Sequence, residues 1–162
     1  MKIDLKIKLL QYLTQKNSQH EGFTLIELLV VIVIIGLLSA IALPTFLNFA
    51  NKAKQSEAST YIGSINRGQQ AYYLEKNAFG NLSDLQIGIS SSRNYTYASA
   101  PVGAGTLASA VTTATPGGVM RGYAGRVWLG TMLTTSSITT LSIVCEGPLG
   151  VVPTINGTQC PP

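Results

Sequence analysis

The sequence predicts an α+β protein in which one long N-terminal helix packs on a small antiparallel β-sheet head. Three observations lead to this fold class. An apolar run, residues 23–43, continues as a helical pattern of apolar residues to about Lys76. Beyond Gly80 the pattern changes to short β-like runs separated by Gly, Ser, Thr and Pro. The length of 162 residues allows one ordinary domain together with an anchor.

A short polar leader, residues 1–22, precedes the apolar run. Its lysines outnumber its acidic residues, with Lys2, Lys6, Lys8 and Lys16 against Asp4 and Glu21. The obvious small residue, Gly22, stands before the apolar core, whereas an ordinary signal peptide is cut after its core. Cleavage at Gly22 would therefore leave the anchor in the mature protein. Because short Lys-rich flanks usually stay cytoplasmic, we expect a single span with the head outside.

The apolar run from Phe23 to Leu43 has 21 residues, and its only charged side chain is Glu27. At a rise of about 1.5 Å per residue it spans roughly 30 Å, which matches the hydrocarbon core of a membrane. A charged side chain near the bilayer centre costs roughly 2.5–3.5 kcal/mol, so an intramembrane acid is by default a functional candidate. In the alternative reading, Glu27 belongs to a plain anchor and reaches toward the headgroups.

The helical pattern continues beyond the span, so one helix of on the order of 80 Å is expected from Phe23 to about Lys76. Two residues interrupt it. Gly36 is a weak helix former, and Pro44 removes a backbone hydrogen bond and crowds the preceding turn. We expect a kink or local melting between them, although kinked membrane helices are also common without such a role. The segment Asn77 to Gly80 is the expected stop, with Gly80 in the left-handed conformation.

Three strands are expected in the head, at Asn94–Ser99, Val119–Leu129 and Ile138–Cys145. The stretch from Gly103 to Gly118 is rich in Thr, Ala and Gly, and we expect it to be an exposed excursion. The aromatic residues are expected to pack in the seam between helix and sheet rather than to form a conducting stripe. The predicted segments of the chain are a leader (1–22), a transmembrane and assembly part (23–43), an outer helix (44–79) and the head (80–162).

The residue inventory limits the chemistry. The only histidine, His20, lies in the leader, so the processed chain would have none and would keep one aspartate, Asp84. We therefore predict no enzyme, no cofactor and no metal site, because the processed chain would have no histidine for imidazole-based catalysis or for a His-containing zinc site. The formal charge of +4 comes partly from the leader. Nucleic-acid binding would require an exposed basic cluster involving Arg93, Arg121 and Arg126.

Two cysteines, Cys145 and Cys160, lie in the part that is predicted to be outside the cytoplasm. An oxidising compartment favours a disulfide between them. The closed loop of about 15 residues would constrain the unfolded chain by about 3 kcal/mol in the chain-entropy model. Two free thiols or a metal pair are the alternatives, and no nearby histidine supports the metal pair.

The sequence Gly22-Phe23-Thr24-Leu25-Ile26-Glu27, followed by apolar residues with Gly36 and Pro44, resembles the prepilin motif of type IV pilins and related pseudopilins. Later segments around Tyr95, Gly122 and Cys145 resemble cyanobacterial pilins of the G and H type. The resemblance implies that a membrane prepilin peptidase cuts between Gly22 and Phe23 and methylates the new amine. It also implies that Glu27 pairs with the Phe23 amine of a neighbouring subunit, and that the stretch from Gly36 to Pro44 unwinds in the filament.

The resemblance predicts a structural subunit of an extracellular type IV pilus that serves motility, adhesion or DNA uptake. The precursor would sit in the inner membrane and be handed to an assembly platform there. The partners would be other pilin subunits and the prepilin peptidase, while nucleic acid has no support from the sequence. Two alternatives remain open, a pseudopilin of a type II secretion system and a minor pilin that binds DNA or surfaces.

Overall fold

A computed structural model describes residues 6–12, 22–131 and 138–161. The chain forms two compact units, residues 1–46 and residues 47–162. The described residues of the first unit are helical apart from residues 22–24. Residues 6–12 form helix α1, and helix α2, Leu25–Lys76, begins in this unit and continues into the second. The predicted leader is thus described only over residues 6–12 and at Gly22.

Every described side chain of the first unit is exposed. Helix α2 has 52 residues and contains Pro44, and its helical conformation continues without interruption through Gly36 and Pro44. Local melting between these residues is therefore not a property of the single chain. The hydroxyl of Thr45 donates a hydrogen bond of 3.4 Å to the Ile41 carbonyl in the turn around the proline. Whether this stretch unwinds in a filament stays a prediction.

In the second unit one face of α2 is buried, and it carries Ala58, Ile62, Ile65, Asn66 and Gln69. Their spacing of three and four residues places them on one side of the helix. The helix ends as predicted at about Lys76, but Asn77, not Gly80, takes the left-handed conformation, with φ at 51°. Asparagine tolerates this conformation because its short polar side chain bonds locally. The prediction that Gly80 terminates the helix is wrong.

The head contains a four-stranded antiparallel sheet in which the strands follow one another in chain order. A 3-10 turn, Gly105–Leu107, lies between the first two strands. The strands are β1 (Tyr95–Val102), β2 (Ser109–Pro116), β3 (Arg121–Thr131) and β4 (Ile138–Leu149). The α+β fold class is confirmed, and three of the strands lie where the sequence predicts them.

Strand β2 contradicts the prediction that residues 103–118 form an exposed excursion. It lies between β1 and β3, and its residues Ala110, Thr112 and Ala114 are fully buried. Small and β-branched side chains suit this position because the helix lies against the sheet here. At Gly125 of β3, an added Cβ would lie 2.5 Å from the Asn66 amide oxygen. Helix and sheet can approach this closely only because Gly125 has no side chain and Ala110 and Ala114 have small ones.

The hydrophobic core of the head consists of three clusters, and the largest, near the start of β1, is rich in tyrosine. Tyr95, Tyr97 and Tyr123 are buried with Ile62 and Ile65 of the helix. The prediction that the aromatic residues pack in the seam between helix and sheet is confirmed for these tyrosines and for Phe79, which packs in a second cluster of core residues. A third cluster, on the other side of β3 and β4, contains Ala124, Cys145 and Ile155.

A buried polar network joins the helix to the sheet. The Gln69 side-chain amide donates to the Gly80 carbonyl at 2.6 Å and to the Ser99 hydroxyl at 2.9 Å, and its oxygen accepts from the Gly80 amide at 3.1 Å. Ser99 in turn bonds to Thr112 at 2.9 Å. Every group in this network has a partner, which fixes the segment after the helix against β1 and β2.

Both edges of the sheet are partly covered by other parts of the head. The edge strand β1 is bonded by the loop before it, through the Leu82 and Ser92 amides and the Ser91 hydroxyl. On β4, the carbonyls of Ile143 and Thr140 accept hydrogen bonds from the helix amides of Asn66 and Gln70. Covered edges do not recruit strands from other chains, so this sheet is protected against edge-to-edge association.

Candidate functional site

The first residues of α2 form a capping box. The Thr24 hydroxyl accepts a hydrogen bond from the Glu27 amide at 3.3 Å, while Glu27 Oε2 accepts one from the Thr24 amide at 2.9 Å. The Thr24 hydroxyl also donates to the same carboxylate oxygen at 2.8 Å. These reciprocal bonds satisfy donors that a helix N-terminus otherwise leaves unpaired. Glu27 therefore has a partner within its own chain.

The sequence analysis missed this role of Thr24, although the signal was readable. A Thr followed three residues later by Glu, ahead of an apolar run, is the sequence signature of a capping box. The two predicted roles of Glu27 were pairing with a neighbouring subunit and, as the alternative, a charge in a plain anchor that reaches toward the headgroups. Both intrachain bonds to the side chain use Oε2, and a carboxylate has two oxygens. Oε1 is therefore left to accept a further donor.

The predicted cleavage position lies just outside the helix. Gly22 and Phe23 are exposed and non-helical, and Phe23 is 74% exposed. Nothing lies within 4 Å of a Cβ added at Gly22, so packing in this chain does not require glycine there. The peptide bond between the two residues thus lies in an exposed segment just before the helix.

The segment that follows is apolar on all sides. Helix α2 is long and apolar enough to cross a membrane, and its most apolar window has no buried residue. Its large side chains, such as Ile32, Leu37 and Ile41, are 60–74% exposed. A single chain cannot cover this surface by itself, so either lipid or other apolar helices must cover it.

The disulfide between Cys145 and Cys160 is confirmed, with the two Cα atoms 5.4 Å apart. Cys145 is in β4 and is buried against Ala124 and Ile155. The bond therefore fastens the C-terminal tail to the face of the sheet that does not carry the helix.

Two of the three arginines that were considered for nucleic-acid binding, Arg121 and Arg126, lie apart from each other. Arg121 makes an ion pair with Glu146, 3.1 Å between Nε and the carboxylate, and both side chains are about half exposed. Arg126 lies five residues further along β3, about 17 Å away. It donates to the Gly157 carbonyl at 2.7 Å and to the Ser109 hydroxyl at 3.3 Å. Their guanidinium groups are therefore engaged at separate places.

Burial changes the acidity of the core tyrosines. It raises the pKa of Tyr95 and of Tyr97 to about 12, because the phenolate form is poorly solvated inside the head. Nearby Tyr123 and Glu146 add to the effect on the pKa of Tyr95, and burial also raises the pKa of Tyr123. The Tyr95 hydroxyl donates to the Arg121 carbonyl at 2.7 Å. These groups are structural parts of the core.

Within residues 6–12, 22–131 and 138–161, no three or more His, Cys, Asp and Glu side chains are grouped so that they could hold a metal ion. His20 lies outside the described residues. Asp84 accepts hydrogen bonds from the backbone and side-chain amides of Asn81, at 2.8 and 3.2 Å, within a surface turn.

Two family models match this chain. Residues 55–156 match the family of type IV pilin-like G and H proteins, and residues 17–43 match the prokaryotic N-terminal methylation motif. The first match covers most of the head together with the helix half that packs on it. The G and H type is thus confirmed, while a cyanobacterial relationship stays a prediction.

Several proteins are similar to part of the chain. It is 40% identical to the type IV major pilin protein PilA of Myxococcus xanthus over 81 residues, which are 50% of this chain and 36% of that protein. It is 35% identical to the fimbrial protein EcpC of Eikenella corrodens over 109 residues, 66% of this chain and 71% of that protein. With the type IV major pilin protein PilE of Neisseria gonorrhoeae, identity is 41% over 58 residues, 36% and 35% of the two chains. No solved structure matches the chain.

Proposed function

We propose, from the premise that this chain belongs to the type IV pilin family, that it is a structural subunit which polymerises into a filament on the cell surface. One observation carries the proposal. The N-terminal half of α2 is apolar on every side and fully exposed, and its first turn presents one carboxylate. Such a surface fits a membrane before assembly and a bundle of identical helices after it.

The precursor would be a single-pass protein of the inner membrane with its head outside. A prepilin peptidase would cut between Gly22 and Phe23 and methylate the amine of Phe23. The match of residues 17–43 to an N-terminal methylation motif supports this step. The exposed, non-helical backbone of Gly22 and Phe23 supports it as well, because a protease needs an extended substrate segment.

Glu27 would act when one subunit docks onto another during assembly. In the free chain its Oε2 is bonded to Thr24, which holds the carboxylate at the helix N-terminus. The methylated amine of Phe23 from a neighbouring subunit would then pair with the remaining acceptor capacity of the carboxylate. In an apolar surrounding such a pair is favoured because the hydrogen bonds from Thr24 do not neutralise the carboxylate, and hydrocarbon offers no other opposite charge.

Gly36 and Pro44 would bound the part of the helix that unwinds in a filament. Helix α2 is continuous through both residues in the single chain, so unwinding would be a consequence of assembly. Pro44 has no amide hydrogen to donate to the preceding turn of the helix. Gly36 has no side chain, and a Cβ added there would meet nothing within 4 Å. The helix is thus intrinsically weakest at these two positions.

The pilus function is favoured over the two alternatives. The similar proteins carry the names of major pilins and fimbrial proteins, and none of those cited is named a secretion pseudopilin. A DNA-binding minor pilin would need an exposed basic cluster, whereas Arg121 is paired with Glu146 and Arg126 bonds to a tail carbonyl.

The test is to express this chain as the only pilin of a piliated host whose own pilin gene is deleted. Fibres sheared from the surface are collected, and the subunit is analysed by mass spectrometry. We expect a subunit that starts at N-methylated Phe23. Surface fibres that lack this chain, or a mature chain that still starts at Met1, would overturn the proposal.

A further inference from the structure

The exposed apolar side chains of the head are concentrated at two places. After helix α2, five described large apolar residues are more than half exposed. Three of them, Val119, Leu149 and Val151, are 80%, 58% and 52% exposed. The other two, Leu107 and Ile138, are 81% and 64% exposed. The backbone contacts assign these two groups to different ends of the sheet.

The first group forms a projecting surface that we call the turn cluster, Val119, Leu149 and Val151. Val119 lies in the turn between β2 and β3, and the Gly150 amide donates to the Met120 carbonyl at 2.7 Å. A Cβ added at Gly122 would meet the Val151 carbonyl at 2.4 Å, so the two segments are in direct backbone contact. The ion pair of Arg121 and Glu146 lies beside them.

The second group borders a concave surface that we call the far groove. It is a cavity of about 440 Å³ that is open to solvent, and none of its lining residues is charged. Its lining includes Tyr73, Phe79, Ala104, Thr106, Leu129 and Ile138. Leu107 borders an adjoining, smaller hollow that shares Thr106 and Leu129 with it. The groove is thus uncharged and mainly apolar; Asn77, Thr106 and Ser109 are polar members of its lining, and Arg126 borders the adjoining hollow.

The two surfaces lie at opposite ends of β3. Arg121, at the start of the strand, pairs with Leu149 of the turn cluster, and Leu129, near its end, lines the far groove. Eight residues of extended strand separate them, which corresponds to about 27 Å. We propose that the turn cluster of one subunit docks into the far groove of another copy of this chain. The inference rests on the proposed polymerisation and adds to it the surface that joins the heads.

A second copy of the chain is the occupant that fits best. One molecule presents a projecting apolar surface at one end and an uncharged apolar concavity at the other. Contacts between two different surfaces of the same chain are heterologous, and when the rotation does not close they generate open helical filaments. The turn cluster also has the usual anatomy of an interface, an apolar centre beside a polar rim. Among the described residues of the head beyond α2, the large apolar side chains that are more than half exposed all lie at these two ends, whereas Val102, Leu141 and Val144 are 38–49% exposed.

The experiment uses the full chain as the only pilin of a host and introduces charges at the two ends. Val119→Lys and Ile138→Glu are made singly and together. Each single variant should lower the amount of pilin in sheared fibres by at least about tenfold, because an unpaired charge would enter an apolar contact. The double variant should recover most of the fibre, because the lysine of one subunit then meets the glutamate of the next.

The control variant is Ala98→Lys, which adds the same charge to an exposed position in β1 away from both ends. It should leave the fibres unchanged. Immunoblots of the cleaved membrane pool and thiol labelling of Cys145 and Cys160 verify that every variant is folded. Single variants with wild-type fibre, or a double variant no better than the worse single one, would overturn the docking. A wild-type chain that makes no fibres at all would instead overturn the proposed function.

Discussion

Two parts of the same helix, residues 25–46 and residues 47–76, differ in burial and in the contacts that their side chains make. The first part has no buried residue, and its first turn is held by the local capping box of Thr24 and Glu27. The second part buries one face, and two of the five buried residues are the amides Asn66 and Gln69. The first part needs partners from outside the chain, whereas the buried face of the second packs on the head, where the Asn66 Nδ2 and both polar atoms of the Gln69 amide are hydrogen-bonded.

The difference shows how one helix can serve two purposes. In the first part, apolar residues surround the helix and no intrachain contact specifies which face points where. In the second, the amide of Gln69 and the close approach of Asn66 to Gly125 fix one face against one sheet. Assembly can therefore rearrange the surroundings of the first part without disturbing the fold of the head.

The largest expected effect tests whether the first part depends on partners through Glu27. Glu27→Ala should leave the precursor inserted and cleaved, because it makes the span more apolar. It should reduce sheared fibres by more than about tenfold, because a buried amine left without its partner costs about 3–5 kcal/mol. The cleaved membrane pool by immunoblot and the sheared fraction are measured in one strain.

Thr24→Ala is the matched control for Glu27→Ala. It removes the capping hydroxyl but keeps the carboxylate, so it should cost only about 1 kcal/mol at the helix start and leave fibres in place. Wild-type amounts of fibre from Glu27→Ala would show that the carboxylate acts only within its own chain, as a cap.

The second prediction tests whether contacts within the head hold the second part of α2 in place. Gln69→Ala should lower the free energy of unfolding of the head by about 3 kcal/mol, because the buried Gly80 amide and carbonyl lose their partners. Unfolding of the full chain in detergent is followed by the fluorescence of Trp128, the only tryptophan, which lies in β3.

The neighbouring glutamine supplies the control for this comparison. Gln70 makes one part-buried bond of 3.2 Å to the Thr140 carbonyl, so Gln70→Ala should cost no more than about 1 kcal/mol. Equal losses from the two variants would mean that the buried network is no more important than a surface contact.

The third prediction concerns the disulfide, which acts only on the head. Replacing both Cys145 and Cys160 by Ala should lower the free energy of unfolding of the head by about 3 kcal/mol for a closed loop of this size. Circular dichroism of the full chain in detergent should show that α2 keeps its helix content. A loss of helix signal from the N-terminal part would contradict the independence of the two units.

The smallest effect is expected from pH, and only in alkali. The folded head raises the pKa of Tyr95 and Tyr97 to about 12, whereas an unfolded tyrosine titrates near about 10. The stabilisation from keeping these phenols neutral is therefore complete below pH of about 10 and is lost as pH rises toward about 12. Denaturant unfolding followed by Trp128 fluorescence measures the loss.

Tyr95→Phe separates this titration from general alkaline damage. The variant loses its hydrogen bond to the Arg121 carbonyl, which lowers stability at every pH by about 1 kcal/mol. It should also show a shallower decline in alkali. An unchanged decline would assign the pH dependence to other groups.

The sequence anticipated the fold class, the disulfide and the extent of the helix because each depends on strong local signals. Apolar spacing marked α2 to within two residues at its start, and β-branched and aromatic residues marked β1, β3 and β4. It failed at β2, Ser109–Pro116, where small Ala and Thr side chains are typical of a loop when they are considered alone. Only the nearby helix explains why small residues belong in the middle of this sheet.

For the candidate site, the sequence identified Glu27 but not Thr24, although the capping signature was present in it. The proposed roles of Gly22, Phe23, Gly36 and Pro44 come from the resemblance and stay predictions. The far groove could not be predicted, because it is lined by residues from the helix end, from all four strands and from the turn between β1 and β2. Such a surface has no signature in any one segment.

The sequence by itself determined the parts of this protein that depend on neighbours along the chain. These are the apolar span, the capped start of α2 and its end near Lys76, because hydrophobic periodicity and capping act over a few residues. The tertiary structure alone decided that β2 is central, that Gln69 pairs with Gly80, and that the turn cluster and the far groove lie at opposite ends of the head. These features join residues that are distant in sequence, and only packing of the helix on the sheet brings them together.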